Sequence, residues 1–537
     1  MTHHLSTINE VFKNTVKQFP DKTALIFKDE KYTFSELDQL VEQIAAYFYN
    51  KGLKKQERII IYLPHMSQWV AIWLAMQRIG VVPIPVTHFY GHEEISYIAR
   101  DSETKTIFCM DKNFDQVIKA AEVYPFERII VVGDDFSHES IPGIGEKVKE
   151  ILPFSAILKE SVPPLPPVHI EPTDLGEILY TGGTTGTPKG VPLTQIMLLI
   201  AMDTKRSEFV PLVPKGKGVA LQGAPLNHIL GKELGFSSLL SGDTLILLPK
   251  MDLEDMFAHI EKYKVTTLFG TPTLCRMILE HEKVGEYDFS SLAYVFTAGE
   301  AMPVEVARRW EKMFGKKVYN GYGSTETCGG ITGTPVDAED YPEGTIGKVV
   351  PNKEVMLLDP DTGEPVAPGE PGEVLVRAEH MVTAYLNKPE ETARHFVKID
   401  GKIWYKTGDI IRFDEKGWGF FVDRSVDLIK HKGYRVAASK VEAVLYKHPA
   451  VSECCVVGIP DEKVGEKIKA FVVLKPGVKD VTEEELIKWC QQTLSSYEIP
   501  NYIEFRTELP KSPVGKILRR KLRDEERKLY EERKKIG

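Results

Sequence analysis

The stretch Tyr180–Gly190, "YTGGTTGTPKG", gathers four glycines, four threonines and one lysine in eleven residues. Gly182, Gly183 and Gly186 let the backbone approach a ligand closely and turn its N–H groups inward as an anion nest. Thr181, Thr184, Thr185 and Thr187 add hydroxyl donors, and Lys189 adds a mobile positive charge. The chemistry that suits this composition is phosphate binding. The stretch nearly spells the nucleotide P-loop, G-x-x-x-x-G-K-[ST], and then departs from it. Pro188 precedes the lysine, Gly190 follows it, and the Ser/Thr that would reach magnesium is missing. The flanks "EILYT" and "GVPLT" both read as extended, so no helix N-terminus is expected to face the loop. The next helix is expected to start near Thr194.

The elements that must position this loop alternate along the chain. "TFSELDQLVEQIAAYFYNKG" puts Leu37, Leu40, Val41, Ile44, Ala45 and Phe48 on one helical face, with Thr33 or Ser35 as its start and Gly52 as its stop. "RIIIYL" suits a buried strand, "SQWVAIWLAMQRIG" a helix, and "VVPIPV" another strand. Such alternation predicts parallel-rich sheets with helices on their faces. "DPDTGEPVAPGEPGE" predicts hairpins around the strand "VLVRA". After "GFFVDRSVDLIKHKGYRV" the pattern changes to short strands and helices, ending in a highly charged helix with i,i+4 pairs.

At 537 residues the chain holds several structural units, and a hydrophobic fraction of 42% is ordinary for globular cores. The net charge of −9 argues against a nucleic-acid partner. Six cysteines show no metal-ligand spacing, and Cys454 and Cys455 read as buried strand residues. No apolar run approaches the ~20 residues of a transmembrane helix, and no signal pattern opens the chain. The expectation is a soluble protein of a reducing compartment such as the cytoplasm, with a homodimer left open.

Six further blocks follow the loop in order: "APLNHILG", "FTAGEAMP", "NGYGSTET", "YKTGD", "VDRSVDLIKHKGYRV" and "LPKSPVGKILRR". Together with the loop they resemble the adenylate-forming superfamily of acyl- and aryl-CoA ligases, luciferases and peptide-synthetase adenylation domains. The resemblance implies an α/β fold. A large N-terminal region of layered helices and mostly parallel sheets, with a β-rich subdomain, would span 1–424. A small mobile α+β C-terminal domain would span 425–537. It also implies two steps. A carboxylate attacks the α-phosphate of ATP and expels pyrophosphate; coenzyme A then takes the acyl group and releases AMP.

Residue by residue, the resemblance puts the glycine loop on the β- and γ-phosphates and His228 beside the acyl carboxylate, positioning and gating. Gly299, Glu300 and Ala301 would run along adenine. Asn320 and Gly321 would lead to Tyr322 stacked on it, and Thr325 would contact the α-phosphate. Glu326 would bind Mg²⁺, which needs hard oxygen ligands. Asp409 would accept the ribose hydroxyls, with Arg424 also reaching the ribose. Lys430 and Gly433 would serve the thioester-forming face, Gly433 letting the pantetheine arm pass. Lys516 would be the catalytic lysine of adenylation. The hinge position two residues after the arginine, usually Asp or Lys, is Val426 here, with Asp427 next.

For the acyl group, Gly323 stands where acetate-specific members carry tryptophan, which implies an acid larger than acetate. Leu230 and Leu234, a helical turn apart, would form an apolar wall. Gly329, Gly330 and Ile331 would form another side and leave room. A medium- or longer-chain fatty acid or an aryl acid fits. An amino-acid adenylation domain would carry an Asp for the amine, where this chain offers Glu233 at best. A luciferase-type enzyme shares the first step. A non-catalytic nucleotide-binding module would have lost Lys516, Glu326 or Asp409, and all three are present.

Overall fold

The structure is a computed structural model. It describes residues 6–133, 147–181, 188–300, 302–338, 340–432, 434–461, 463–478, 480–511 and 517–536, with the backbone alone at Val426 and at 533, 535 and 536. Gly182, Gly183, Thr184, Thr185, Gly186, Thr187, Ala301, Gly433 and Lys516 lie outside the described residues.

Local chemistry sets the helix ends. Thr33 caps the helix Phe34–Asn50: its hydroxyl accepts from Glu36 N, and the Glu36 carboxylate accepts from Thr33 N in return. Leu37, Val41, Ile44, Ala45 and Phe48 are buried, whereas Leu40 is half-buried at the edge of that face. The helix Ser67–Ile79 is buried almost all round and ends on Gly80 at φ 68°.

The apolar runs become parallel strands, as their continuous hydrophobicity predicts. Val82–Pro85, Arg58–Tyr62, Thr106–Met110, Phe126–Val132 and Val148–Pro153, in that spatial order, form one sheet with parallel pairings. A nine-stranded sheet runs Lys348–Val349, Gly329–Gly333, Val318–Ser324, Tyr294–Thr297, Thr267–Gly270, Val219–Gln222, Thr244–Leu247, Thr23–Phe27, Glu30–Thr33. Within it, Val219–Gln222, Thr267–Gly270, Tyr294–Thr297 and the first part of Val318–Ser324 are adjacent and parallel. Their carboxyl ends are in register: Gln222 opposite Phe269, Gly270 opposite Thr297, and Thr297 opposite Asn320. "APLNHILG", "FTAGEAMP" and "NGYGSTET" all leave this one edge. Ligands of open α/β sheets bind there.

The two arms of the glycine loop pair antiparallel, Leu175–Thr181 with Lys189–Thr194, bringing Thr181 opposite Lys189. The helix Gln195–Phe209 follows, capped by Thr194. The loop thus joins strand to strand.

Two compact units divide the chain: Met1–Glu354 with Val376–Tyr405, and Val355–Leu375 with Lys406–Gly537. This differs from a division at 424/425. The strand Gly419–Arg424 pairs with the later part of Lys402–Phe413, and Asp423 accepts from Ser439 N, so both sides of residue 424 are tied into one unit. In that unit an antiparallel sheet of Tyr434–Ala437, Leu428–His431, Gly465–Leu474 and Val451–Asp461 takes Tyr502–Phe505 as a parallel addition. The helices Ala438–Leu445, Glu483–Gln491 and Arg519–Ile536 complete it as α+β. Cys454 and Cys455 are buried on their strand, as expected. Among the described residues no helix is long and apolar enough to cross a membrane.

Candidate active site

The strand Val318–Ser324 changes partner along its length. Through Asn320 it runs parallel to Tyr294–Thr297; from Gly321 it turns back against Gly329–Gly333 in a hairpin that is irregular between Tyr322 and Gly323. Gly323 serves this hairpin directly, since a Cβ there would lie 2.4 Å from the Gly329 carbonyl oxygen. Asn320 is buried and accepts from the Thr297 hydroxyl at 3.3 Å. Tyr322 is half-buried, and Thr325 and Glu326 in the connecting turn are buried.

Glu326 is held by groups far from it in sequence. Its Oε1 accepts from the Tyr385 hydroxyl at 3.0 Å and lies 3.5 Å from the Thr181 hydroxyl. Burial, and then Glu326, push the Tyr385 phenol up, so it remains a donor. The carboxylate expected to bind magnesium therefore stands beside the residue that enters the glycine loop. Mg²⁺ takes one or two carboxylates together with substrate phosphates and waters, and a buried Glu with a neighbouring hydroxyl fits that pattern.

The segment Tyr385–Glu391 clasps the loop's arms. Leu386 N donates to Gly190 O at 2.8 Å, and Asn387 Nδ2 to Asp101 O at 2.8 Å. Lys189 is buried; its ammonium pairs with Glu391 at 2.7 Å and lies 4.9 Å from the centre of the Tyr385 ring. It is thus not the mobile cation that the loop suggests in isolation, because a charge out of water is held by its partner. Hydrogen bonding from Lys189 keeps the Glu391 carboxyl below its usual range. The Tyr180 hydroxyl donates to Asp101 at 2.7 Å, and the Tyr97 hydroxyl to Pro188 O at 3.0 Å.

His228 is exposed and caps the short helix that follows it; its Nδ1 accepts from Leu230 N at 3.2 Å. With Nδ1 accepting, a neutral ring would carry its proton on Nε2. Before it, Leu226 N donates to Nε2 of His65 at 2.9 Å; burial pulls His65 down to about 4, so it stays neutral.

The helix after His228 is not regular. Ile229–Gly231 is α, Lys232–Phe236 is a π turn, and Ser237–Leu240 is α again. Leu230 and Leu234 are both buried, Leu230 on the α turn and Leu234 on the π turn. Single π turns recur at functional sites. At this turn the Lys232 ammonium pairs with Glu177, both fully buried. Trp73 Nε1 donates to Glu177 at 2.5 Å, and the ammonium lies 4.7 Å and 5.1 Å from the Trp69 and Trp73 ring centres. Burial pulls Lys232 down to about 8 and pushes Glu177 up. Because Glu177 sits on the strand entering the glycine loop, the pair bolts that strand to the helix after His228.

Gly329 and Gly330 do not leave open room. Glu233 fills it: a Cβ at Gly329 would lie 2.7 Å from its Oε2, and one at Gly330 would lie 3.3 Å from its Oε1. Gly330 N donates to Oε1 at 3.2 Å, and Ile331 is buried beside them in sequence. Burial pushes the Glu233 carboxyl up to about 7, against the pull of Lys205. Elsewhere on the same sheet edge, Gly299 takes φ 84°, and the exposed Glu300 accepts from Thr273 N and its hydroxyl at 3.3 and 2.6 Å.

In the second unit, Asp409 and Arg424 stand opposite each other on paired strands, Nε to Oδ1 3.6 Å. Lys430 is exposed and pairs with Asp361 at 3.0 Å, while Arg435 pairs with Asp359 at 3.2 Å. Ser425–Asp427 forms a short 3₁₀ turn. Asp427 is bound by Arg519 at 2.7 Å and by Arg523, which commits it to the last helix.

Tyr385, Glu391, His65, Glu177 and Lys232 were not singled out by the motifs. Glu177 leaves one trace, a lone acid in the apolar run "LGEILYT".

Two expectations follow from these buried charges. Lys232→Met leaves Glu177 buried without its cation and should cost about 3–5 kcal/mol in denaturant unfolding, with Glu177→Leu/Lys232→Met recovering most of it. Equal losses in both proteins would show that the pair contributes packing alone. Glu233 keeps its proton in the folded chain up to about pH 7, against an ordinary 4.5 when unfolded. Its stabilising contribution is full below pH 4.5 and is lost as pH rises through 7, a change of about 3 kcal/mol at ~1.4 kcal/mol per unit. Wild type should lose stability relative to Glu233→Gln across that window; parallel pH profiles would mean that the carboxyl is already ionised in the fold.

Residues 12–386 match the AMP-binding enzyme family, and residues 440–516 match the AMP-binding enzyme C-terminal domain. A long-chain-fatty-acid–CoA ligase of Bacillus subtilis is 34% identical, covering 97% of this chain and 94% of its own. 4-Coumarate-CoA ligase 1 of Narcissus pseudonarcissus is 30% identical over 97% of this chain and 93% of its own. The crystal structure of the anthranilate CoA ligase AuaEII with anthranoyl-AMP superposes with a TM-score of 0.86 at 26% identity, covering 97% of each chain. The chain belongs to the AMP-binding enzyme family and is an AMP-forming ligase that activates a carboxylic acid as its adenylate and passes the acyl group to coenzyme A.

Proposed function

We propose that the acid is a fatty acid of medium or longer chain, and that the residues gathered at the sheet edge carry its activation. The observation that supports the assignment of roles is the meeting of Thr181, Glu326 and Tyr385 beside the glycine loop. The buried Leu230, Leu234 and Ile331 favour an apolar acyl group, and the long-chain ligases among the relatives agree with that choice. The aryl alternative rests on the 4-coumarate and benzoate ligases among the relatives and matched structures.

In this reading the glycine loop and its threonines hold the β- and γ-phosphates, with Thr325 at the α-phosphate. Glu326 would hold Mg²⁺, which supplies positive charge to the phosphate oxygens when bound. Tyr322 stacks on adenine, and Asp409 and Arg424 take the ribose. A substrate carboxylate oxygen forms a bond to the α-phosphorus as the bond to the bridging oxygen of pyrophosphate breaks. Negative charge spreads over phosphate oxygens in that transition state, so preorganised donors matter more than a general base. Lys516 is the cation assigned to it. In the second step the sulfur of coenzyme A attacks the adenylate carbonyl, and AMP leaves with the electron pair of the carbon–oxygen bond. Lys430 and Gly433 serve this step, so two assigned groups of the 425–537 segment act in different steps. We assign the reorientation between them to the region around Val426, a hinge motion of a kind that can limit turnover. The site of action is an aqueous, reducing compartment such as the cytoplasm.

Two measurements test these roles. Purified protein given ATP, magnesium, coenzyme A and straight-chain acids from acetate upward should release pyrophosphate and form AMP and thioester with the longer acids. Acetate as the best substrate would overturn the size assignment. Lys516→Ala should lose ~10²-fold or more in adenylation, the scale of losing one transition-state donor. It should still convert a supplied acyl-adenylate with coenzyme A; an equal loss there would refute the division of labour.

A further inference from the structure

Three acidic side chains of the first unit, Glu177, Glu326 and Glu233, are buried near this sheet edge. Glu177 pairs with Lys232 and is bonded by Trp73 through Oε2, its Oε1 being without a hydrogen-bond partner among the described residues. Glu326 has Tyr385 and Thr181. Glu233 differs in having no ion pair among the described residues. Only 6% of it is exposed, and its Oε1 takes a single backbone donor, Gly330 N. Among the described residues Oε2 has no hydrogen-bond partner, although it lies against Gly329. Nearby cations are already engaged. Lys205 pairs with Glu208 at 2.5 Å and lies 3.3 Å from the Phe296 ring centre, and Lys353 donates to Thr327 O at 2.5 Å.

A carboxyl held largely out of water with one acceptor unfilled is costly, and an apolar residue of similar size would avoid that cost. The surroundings are shaped around this one. Strand Gly329–Gly333 has no side chain at Gly329 or Gly330, where any Cβ would crowd the Glu233 oxygens. The π turn Lys232–Phe236 carries Glu233 between Lys232, which is spent on Glu177, and the buried Leu234. The carboxyl thus interrupts two surfaces, Leu230/Leu234 and Gly329–Ile331, that are assigned above to the acyl group.

We infer that Glu233 is a specificity determinant, its free oxygen accepting a hydrogen bond from a hydroxyl or amino group carried by the substrate acid away from its carboxylate. This rests on the acyl-pocket reading above and narrows it: the acid is apolar along Leu230 and Leu234 and carries a donor where it meets Glu233. A carboxyl that exchanges its proton near pH 7 accepts from either kind of donor. Sites built to pair a substrate donor discriminate strongly against the analogue that lacks it, because the protein group is then left unpaired.

The test uses the full-length protein with matched acids: decanoate against ω-hydroxydecanoate and ω-aminodecanoate, and benzoate against para-hydroxybenzoate and para-aminobenzoate. Pyrophosphate release gives kcat/KM for each. Wild type should prefer a donor-bearing acid over its plain partner by about tenfold or more. Glu233→Leu should bring that ratio close to one, and Glu233→Gln, which keeps an acceptor oxygen, should retain part of it. Thermal unfolding of each variant separates misfolding from lost recognition, and the wild-type ratio decides the matter if Glu233→Leu does not fold. A wild-type ratio near one, or a ratio that Glu233→Leu leaves unchanged, overturns the inference while the ligase reading stands. Failure of wild type to activate any plain or donor-bearing acid would remove both. The hydroxy and amino arms tell which donor is taken.

Discussion

A carboxylate taken out of water must be met by donors or cations, and in this protein they come from distant parts of the chain. Glu326 is met by Tyr385 and Thr181, Glu177 by Lys232 and Trp73, and Glu391 by Lys189. Each contact fixes one segment of the site against another. Leaving either partner of such a pair alone costs several kcal/mol, comparable with a large share of the stability of an ordinary domain. Surface pairs such as Lys430–Asp361 are worth little by comparison, because water screens them. The buried pairs therefore determine the geometry, and the exposed ones decorate it.

The consequence is that the two sides proposed above for phosphate and acyl group are mechanically joined. Glu177 and Thr181 lie on the same strand, Leu175–Thr181. Through Lys232 that strand grips the π turn after His228, and through Thr181 it reaches Glu326. A reaction between a carboxylate and a phosphorus atom needs both held within near-attack distance, and errors of about 1 Å can cost ~10²-fold. Common anchorage of the two sides on a single strand is a direct way to meet that requirement.

Much of this was legible in the sequence, for reasons that can be named. Apolar runs separated by amphipathic helices gave parallel sheets, and the capping box at Thr33 gave its helix start. Motif blocks leaving neighbouring parallel strands were bound to converge, so the clustering of "APLNHILG", "FTAGEAMP" and "NGYGSTET" is a property of topology. What escaped was the identity of partners. Nothing in spacing says that Lys189 meets Glu391 or that Glu233 fills the space beside Gly329 and Gly330. Those glycines read as an open wall because a missing side chain looks like room; in the fold the room belongs to a residue some hundred positions earlier in the chain. Strand pairing of Asp409 with Arg424 crosses the motif boundary, and pairing is a non-local property.

The glycine loop shows how the same constraint replaces a helix. In a P-loop the following helix supplies a rigid frame and aims its N-terminal N–H groups at phosphate. Here the loop hangs between two antiparallel strands, and a lone two-stranded hairpin is marginal in water. Its arms must be made rigid from outside. Tyr180 is tied to Asp101, Pro188 is held by Tyr97, Lys189 is buried on Glu391, and Gly190 O takes Leu386 N. Asp101 is in turn held by Asn387 and Lys388 of the same clasp. The lysine that resembles a P-loop lysine is therefore spent on the frame. A positive charge for the α-phosphate then has to come from another group, the role proposed above for Lys516 and for Mg²⁺ at Glu326.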